Sequence, residues 1–151
     1  MTDAELAAFL ETGRTLHVAS IDPDGYPHLS PMWYVMRDGR VLFRSFTKSQ
    51  KIVNLTRNPK LSVLVETGEA YSELRGVMIR GRARLVDDPE FVLETYGALA
   101  EKYEMIGAQR VSLDRDALEA AFGAYAAKNT AVIVEPVKIS SWDHRKLDGA
   151  Y

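Results

Sequence analysis

The chain has 151 residues, 46% hydrophobic and 26% charged, with a formal net charge of −2 and no cysteine. That is the profile of a soluble globular domain with room for a core, and we read residues 1–151 as a single domain. It excludes disulfides, thiolate metal sites and a cysteine nucleophile, gives no general electrostatic attraction to nucleic acid, and is compatible with a reducing cytoplasm. The acidic N-terminal segment lacks the basic start of a signal peptide, and no apolar run approaches the roughly 18 residues of a membrane span.

Thr2-Asp3-Ala4-Glu5 forms a capping box, and Leu6, Phe9 and Leu10 supply one apolar face, so a short helix runs to about Thr12 and stops at Gly13. Thr15 to Ile21 alternates as a strand, and Asp22-Pro23-Asp24-Gly25 is a turn with proline second and glycine fourth. Tyr26 to Met36 is a second strand. Pro27 and Pro31 deny it two ladder donors, which predicts a bulge or an edge position. Arg37-Asp38-Gly39 closes a hairpin onto the next strand.

Val41 to Leu55 is the most informative stretch. A strand (Val41, Phe43) runs into a helix (Ile52, Leu55), and Ser45, Thr47, Ser49, Lys48 and Lys51 crowd the junction. A helix N-terminus carries unpaired N–H groups and the positive end of the dipole, so it attracts anions, and hydroxyls and lysines strengthen that attraction. Thr47 with Gln50 also fits an ordinary capping box, so from local pattern the stretch reads first as a plain capped helix, with the anion site as the alternative.

Asn58-Pro59 ends that helix, Leu61 to Glu66 is a fourth strand, and Thr67 to Leu74 is a polar loop. Arg75 to Val86 is a fifth strand. It sets Val77, Ile79 and Leu85 on one face and Arg80, Arg82 and Arg84 on the other, read as a solvated row paired with acids on a neighbouring strand. Gly76 and Gly81 within it mark a bulge or a close backbone approach. Asp88-Pro89 opens a helix whose Val92, Tyr96, Leu99, Tyr103 and Ile106 form one stripe. Asp114 caps another helix carrying Leu118, Ala121, Phe122 and Tyr125. Thr130 to Ser141 is a last strand bent at Pro136, followed by a polar tail led by Trp142. Strands dominate and join by hairpins, which predicts a small, mainly β (α+β) antiparallel barrel with packed helices.

His17, His28 and His144 are scattered, without metal-site spacing. Ser30 and Ser49 lack a nucleophile-elbow context, and no GxGxxG or P-loop is present. Tyr34, Tyr71 and Tyr103 are candidate proton donors. Without an acid–base constellation, catalysis would rest on a bound cofactor.

Several segments occur together: Gly25 to Trp33, Phe43-Arg44-Ser45, Ser49-Gln50-Lys51, Asn58 to Val63 and Val77 to Ala83. In order and spacing they resemble the flavin/deazaflavin-binding split β-barrel superfamily, the relatives of pyridoxamine 5′-phosphate oxidase. The resemblance covers nearly the whole chain. It implies an FMN-binding split-barrel fold, cytoplasmic location and a homodimer with two cofactor sites at the subunit interface. Ser30, Pro31, Met32 and Trp33 would line the ring of the cofactor, and Ser45, Ser49, Gln50 and Lys51 would hold its phosphate, with Arg44 and Lys48 beside them. Trp142 would reach the cofactor of the other subunit.

The departures are specific. Ser30 stands where the oxidase has arginine, Gln50 where it has the arginine of Ser-Arg-Lys, and Gly76 where it has glutamine. Arg145-Lys146-Leu147-Asp148-Gly149 does not match its C-terminal Arg-x-His. These differences argue against genuine pyridoxamine phosphate oxidation. The Ser49-Gln50-Lys51 version resembles the actinobacterial branch that uses coenzyme F420 to reduce small molecules by hydride transfer, with FMN as the alternative cofactor. A flavin or deazaflavin carrier or sensor without turnover, and a structural dimer with a decayed site, are the non-enzymatic readings.

Overall fold

The computed structural model describes residues 1–147; Asp148 and Gly149, part of the C-terminal comparison above, lie outside them. In chain order the elements are α1 (Asp3–Thr12), β1 (Leu16–Ile21), β2 (Pro27–Met32), β3 (Val35–Arg37), β4 (Arg40–Phe46), α2 (Gln50–Arg57), β5 (Lys60–Thr67), β6 (Arg75–Val86), α3 (Pro89–Lys102), α4 (Arg115–Ala126) and β7 (Asn129–Asp143). Short 3-10 turns follow at Tyr71–Glu73 and His144–Lys146. The seven strands form one antiparallel sheet in the order β2-β1-β5-β6-β7-β4-β3. It curls into a half-barrel with the four helices packed against it, the split-barrel α+β fold read from the sequence.

Two cores explain the residue pattern. Leu16, Val18, Phe43, Val63, Val65, Val77 and Val132 fill the inside of the curl. Leu42, Ala131 and Ile133 point the other way, against Val92, Leu93, Leu99 and Phe122 of α3 and α4. β4 and β7 are therefore buried on both faces, which is why Val41-Leu42-Phe43 and Ala131 to Val134 are unbroken apolar runs.

The caps behave as read: Thr2 and Glu5 make the reciprocal box of α1, Asp88 and Asp114 accept from Glu90 and Ala117 N–H groups, and Pro89 starts α3. Asp38 and Gly39 have φ of 50° and 71°, the positive pair that a tight two-residue hairpin needs. Four details differ from the sequence reading. The Tyr26-to-Met36 strand is two strands, β2 and β3, which take the two opposite ends of the sheet and are joined by Trp33-Tyr34. The prolines thus do sit on an edge. α3 stops at Lys102, which leaves Ile106 outside it, and Tyr125 points outward at 61% exposure. Trp142 belongs to β7, not to a tail, because β6 starts at Arg75 and pairs as far as Asp143. Finally, the Thr47–Gln50 capping box does not form. The N-cap of α2 is Ser49; Thr47 Oγ1 bonds Thr130 Oγ1 at 3.0 Å, and Gln50 Nε2 donates to Asn54 Oδ1 at 2.9 Å.

Both strand glycines are close approaches. A Cβ at Gly81 would overlap the Glu135 carbonyl, beside the bulge where Arg80 faces Lys138 but Gly81 faces Pro136. A Cβ at Gly76 would overlap the Trp142 indole, which lies across it.

Candidate functional site

The sheet does not close. β3 pairs only with Arg40, Val41 and Leu42 of β4, so Phe43 to Phe46 has no strand on that side. β2 at the other end pairs only with β1. Unpaired strand edges carry free N–H and C=O groups. Pro31, Met32 and Trp33 at the end of β2 share a cavity of about 350 Å³ with Arg44 of β4, together with Thr15 and Leu99. A volume near 300–1,000 Å³ is typical of small-molecule sites.

Arg44 is built into this cavity. Its guanidinium lies 4.2 Å over the Tyr96 ring, Nη1 reaches Asn129 Oδ1 at 3.4 Å, and Nε is buried without a partner. Burial lowers its pKa from the ordinary arginine value, and Tyr96 opposes that. Trp33, 46% exposed, stacks on Tyr103 with ring centres 4.7 Å apart and planes 11° from parallel. One wall is thus a fixed aromatic face and another a cation with a donor to spare.

Ser45 follows Arg44 on β4 and so points to the opposite face, into the curl. There Ser45 Oγ lies 3.0 Å from Ser49 Oγ and accepts from Lys51 Nζ at 3.3 Å. Lys51 is half-buried, and desolvation lowers its pKa. Among the described residues no carboxylate lies within ion-pair distance of it. The first turn of α2 holds no acidic residue, and the Ser49 side chain makes no cap bond, so the N–H groups heading the helix keep their positive field. The buried Ser30 Oγ, on the inward face of β2, also lacks a partner. An ammonium, two hydroxyls and an uncapped helix start are thus brought together, the donor set that suits an anion.

The structure brings together Pro31, Met32, Trp33 and Arg44 in one cluster, and Ser45, Ser49 and Lys51 in a second on the other side of β4. Gln50 is engaged with Asn54 and offers the site its backbone N–H, while Lys48 is exposed beside it. Trp142 lies on the outer face of the sheet over Gly76 and lines neither cluster. Tyr34 and Tyr103 have their hydroxyls engaged on backbone carbonyls. Tyr34 is fully buried and donates to the Leu10 carbonyl; burial first, then Tyr103 and Glu11, raises its pKa. Tyr103, 1% exposed, uses its hydroxyl on Arg14 O and Tyr34 O, both at 2.9 Å. Tyr71 is 57% exposed beside His144, away from either cluster. His28 has a buried Nδ1 without a partner. Tyr96 and Asn129, which hold Arg44, were not legible as site residues: one sits in an apolar stripe and the other merely precedes a strand.

A split barrel whose opening carries an anion corner and an aromatic wall defines a class of cofactor-binding proteins. Residues 2–140 match the family of pyridoxamine 5′-phosphate oxidase, and the chain belongs to that family. Among solved structures, a conserved hypothetical protein from Mycobacterium tuberculosis is 36% identical, covering 98% of this chain and 88% of its own, with a TM-score of 0.86. An F420 reductase is 25% identical, covering 88% and 94%, with a TM-score of 0.67. A FAD-binding protein from Mesorhizobium loti, 18% identical over 93% and 94% of the two chains with a TM-score of 0.63, shares the fold. No curated protein matches the chain. Among the described residues there is no helix long and apolar enough to cross a membrane and no cluster of metal-binding side chains.

Proposed function

We propose that the opening of the barrel binds a phosphate-bearing deazaflavin, coenzyme F420, and that the protein is an oxidoreductase acting on an unsaturated small molecule. The observation that carries this reading is Lys51: a half-buried ammonium without a carboxylate partner among the described residues, facing Ser45 and Ser49 at an uncapped helix start. The orphaned Ser30 Oγ and Arg44 Nε and the free edges of β2 and β4 fit a ring with carbonyl and imide groups along one side. When bound, such a cofactor supplies hydride transfer. Lys51 and the α2 N-terminus hold the phosphate, Trp33 and Met32 flank the ring, and Arg44 donates from Nε to a carbonyl or to a developing negative charge.

The likeness to an F420 reductase supports F420 over FMN, as does glutamine at position 50. FMN is the second reading, because the anion corner suits either phosphate. The working unit of the proposal is a homodimer. Trp142 is partly buried on the outer sheet face, with Met78 and Leu64 on the same face, and a second copy packed there would bring it to a cleft.

Titration of F420 and FMN into wild type and Lys51→Ala tests the cofactor. Tighter binding of F420 than FMN, weakened in the variant, is expected; affinity unchanged by the substitution would overturn the site. Light scattering tests the dimer, and a monomer at the concentration of activity would contradict it.

A further inference from the structure

A cavity larger than the one at Arg44 lies outside this site. It is a groove of about 550 Å³ on the outer face of the sheet, bordered by Lys60, Arg80 and Arg82 and floored by Ala19, Ile21 and Val137. We infer that this groove is a second binding site, for a small amphipathic anion: an apolar body carrying a phosphate or an equivalent dianion.

Three features of the groove support it. First, the cations are unspent. The row of arginines was expected to pair with acids on the next strand, and Arg84 does, with Glu135 at 3.4 Å. Glu135 stands opposite Arg82 in the register, yet its carboxylate goes to Arg84. Among the described residues Lys60, Arg80 and Arg82 have no carboxylate within ion-pair distance, and no acid lines the groove. Second, the pairing concentrates them. Lys60 faces Arg82 across β5 and β6, and Arg80 stands one same-face step along the strand. Like charges placed opposite each other repel, so this arrangement is destabilising until an anion enters. Third, the floor is shaped. The bulge between Arg80 and Gly81 leaves Val137 as the extra residue of β7, 72% exposed and lining the groove. Bulges re-aim side chains next to sites, and here the bulge turns an apolar residue toward the cations.

The groove adjoins the proposed dimer contact: Arg80 is one same-face step from Met78 on β6, and Ser62 one from Leu64 on β5. Trp142 itself, over Gly76, lies four to six residues from Arg80 and Arg82 along β6, roughly 13–20 Å at about 3.4 Å per residue.

The test uses 1-naphthyl phosphate as probe, titrated by calorimetry at low salt into wild type, Lys51→Ala, and an Arg80→Ala/Arg82→Ala double variant checked for fold by circular dichroism. Binding is expected in wild type and Lys51→Ala, with at least a tenfold loss in the double variant and in 1-naphthol or inorganic phosphate taken alone. The charge-reversed Arg80→Glu should lose more. Equal binding by wild type and the double variant, or none in Lys51→Ala, would overturn the site. Inorganic phosphate binding as tightly as the probe would overturn the amphipathic assignment. Loss of F420 or FMN affinity in the double variant would show that the groove is part of the cofactor site, against the inference. A fall in oligomeric mass of the double variant together with no probe binding would show a second copy on the groove, also against it.

Discussion

Two lysines in this protein share a state and differ in their surroundings. Lys51 and Lys102 are both half-buried, both have pKa values lowered chiefly by desolvation, and neither has a carboxylate within ion-pair distance among the described residues. Lys102 ends α3, where the helix dipole is negative, and its Nζ sits 3.9 Å over the Tyr34 ring and 5.6 Å from that of Tyr103. Its Nζ is buried without a hydrogen-bond partner, and its charge is met instead by the dipole, the rings and the field of Glu11. Lys51 stands in the first turn of α2, where the dipole is positive, with only the Ser45 hydroxyl as acceptor. The fold leaves Lys51 in an unfavourable field that an anion would relieve. An unpaired buried charge therefore points to a ligand only where its own protein does not already satisfy it.

Substitutions that separate the two corners differ in kind as well as size. Tyr103→Ala removes the stack on Trp33, the hydroxyl shared by Arg14 and Tyr34, and a ring near Lys102. It should cost about 3–5 kcal/mol of stability in urea unfolding, marking the Lys102 corner as structural. A loss under 1 kcal/mol would mean the tyrosine pair is not part of the core. Lys51→Ala should weaken cofactor affinity by about 1–3 kcal/mol while leaving the stability of the cofactor-free protein unchanged or slightly raised. Ser45→Ala should lose about 0.5–1.5 kcal/mol of the same affinity, read by calorimetry, because a neutral hydroxyl gives a weaker bond.

The smallest effects are in pH. Lys102 titrates at about 8 in the folded chain against an ordinary 10.5, so between those values the unfolded chain binds more protons and stability rises with pH. Half-exposure screens the charge, so the rise should be no more than about 1 kcal/mol and should vanish in Lys102→Met. Lys51 shows the other sign in binding. A bound phosphate favours its charged form, so affinity should be flat at low pH and fall as pH climbs through the lowered pKa of the free protein. A fall of the same size in Lys51→Ala would assign that titration elsewhere.

The Lys51 side of the contrast was legible in the residues, and the Lys102 side was not. Ser45, Ser49 and Lys51 at a strand-to-helix junction were readable as an anion corner because they are close in sequence and the helix end makes its own field. The Thr47–Gln50 cap was misread because Thr130, distant in sequence, claims the Thr47 hydroxyl. Trp142 was placed in a tail because nothing local says how far β6 extends its partner. Arg44 was readable as a candidate, but not its posture: that depends on α3 laying Tyr96 over β4, a packing fact without a sequence motif. The open sheet was readable in part, since two prolines in one strand point to an edge. That the same stretch supplies both edges follows only from the curl.

If Lys51 is a charge held for a cofactor phosphate, removing it must cost affinity. Coenzyme F420 titrated calorimetrically into wild type and Lys51→Ala at one salt concentration decides this. Binding is expected in wild type, with an affinity about 5- to 150-fold lower in the variant. Equal affinity in the two proteins, or no binding of either F420 or FMN to wild type, would contradict it.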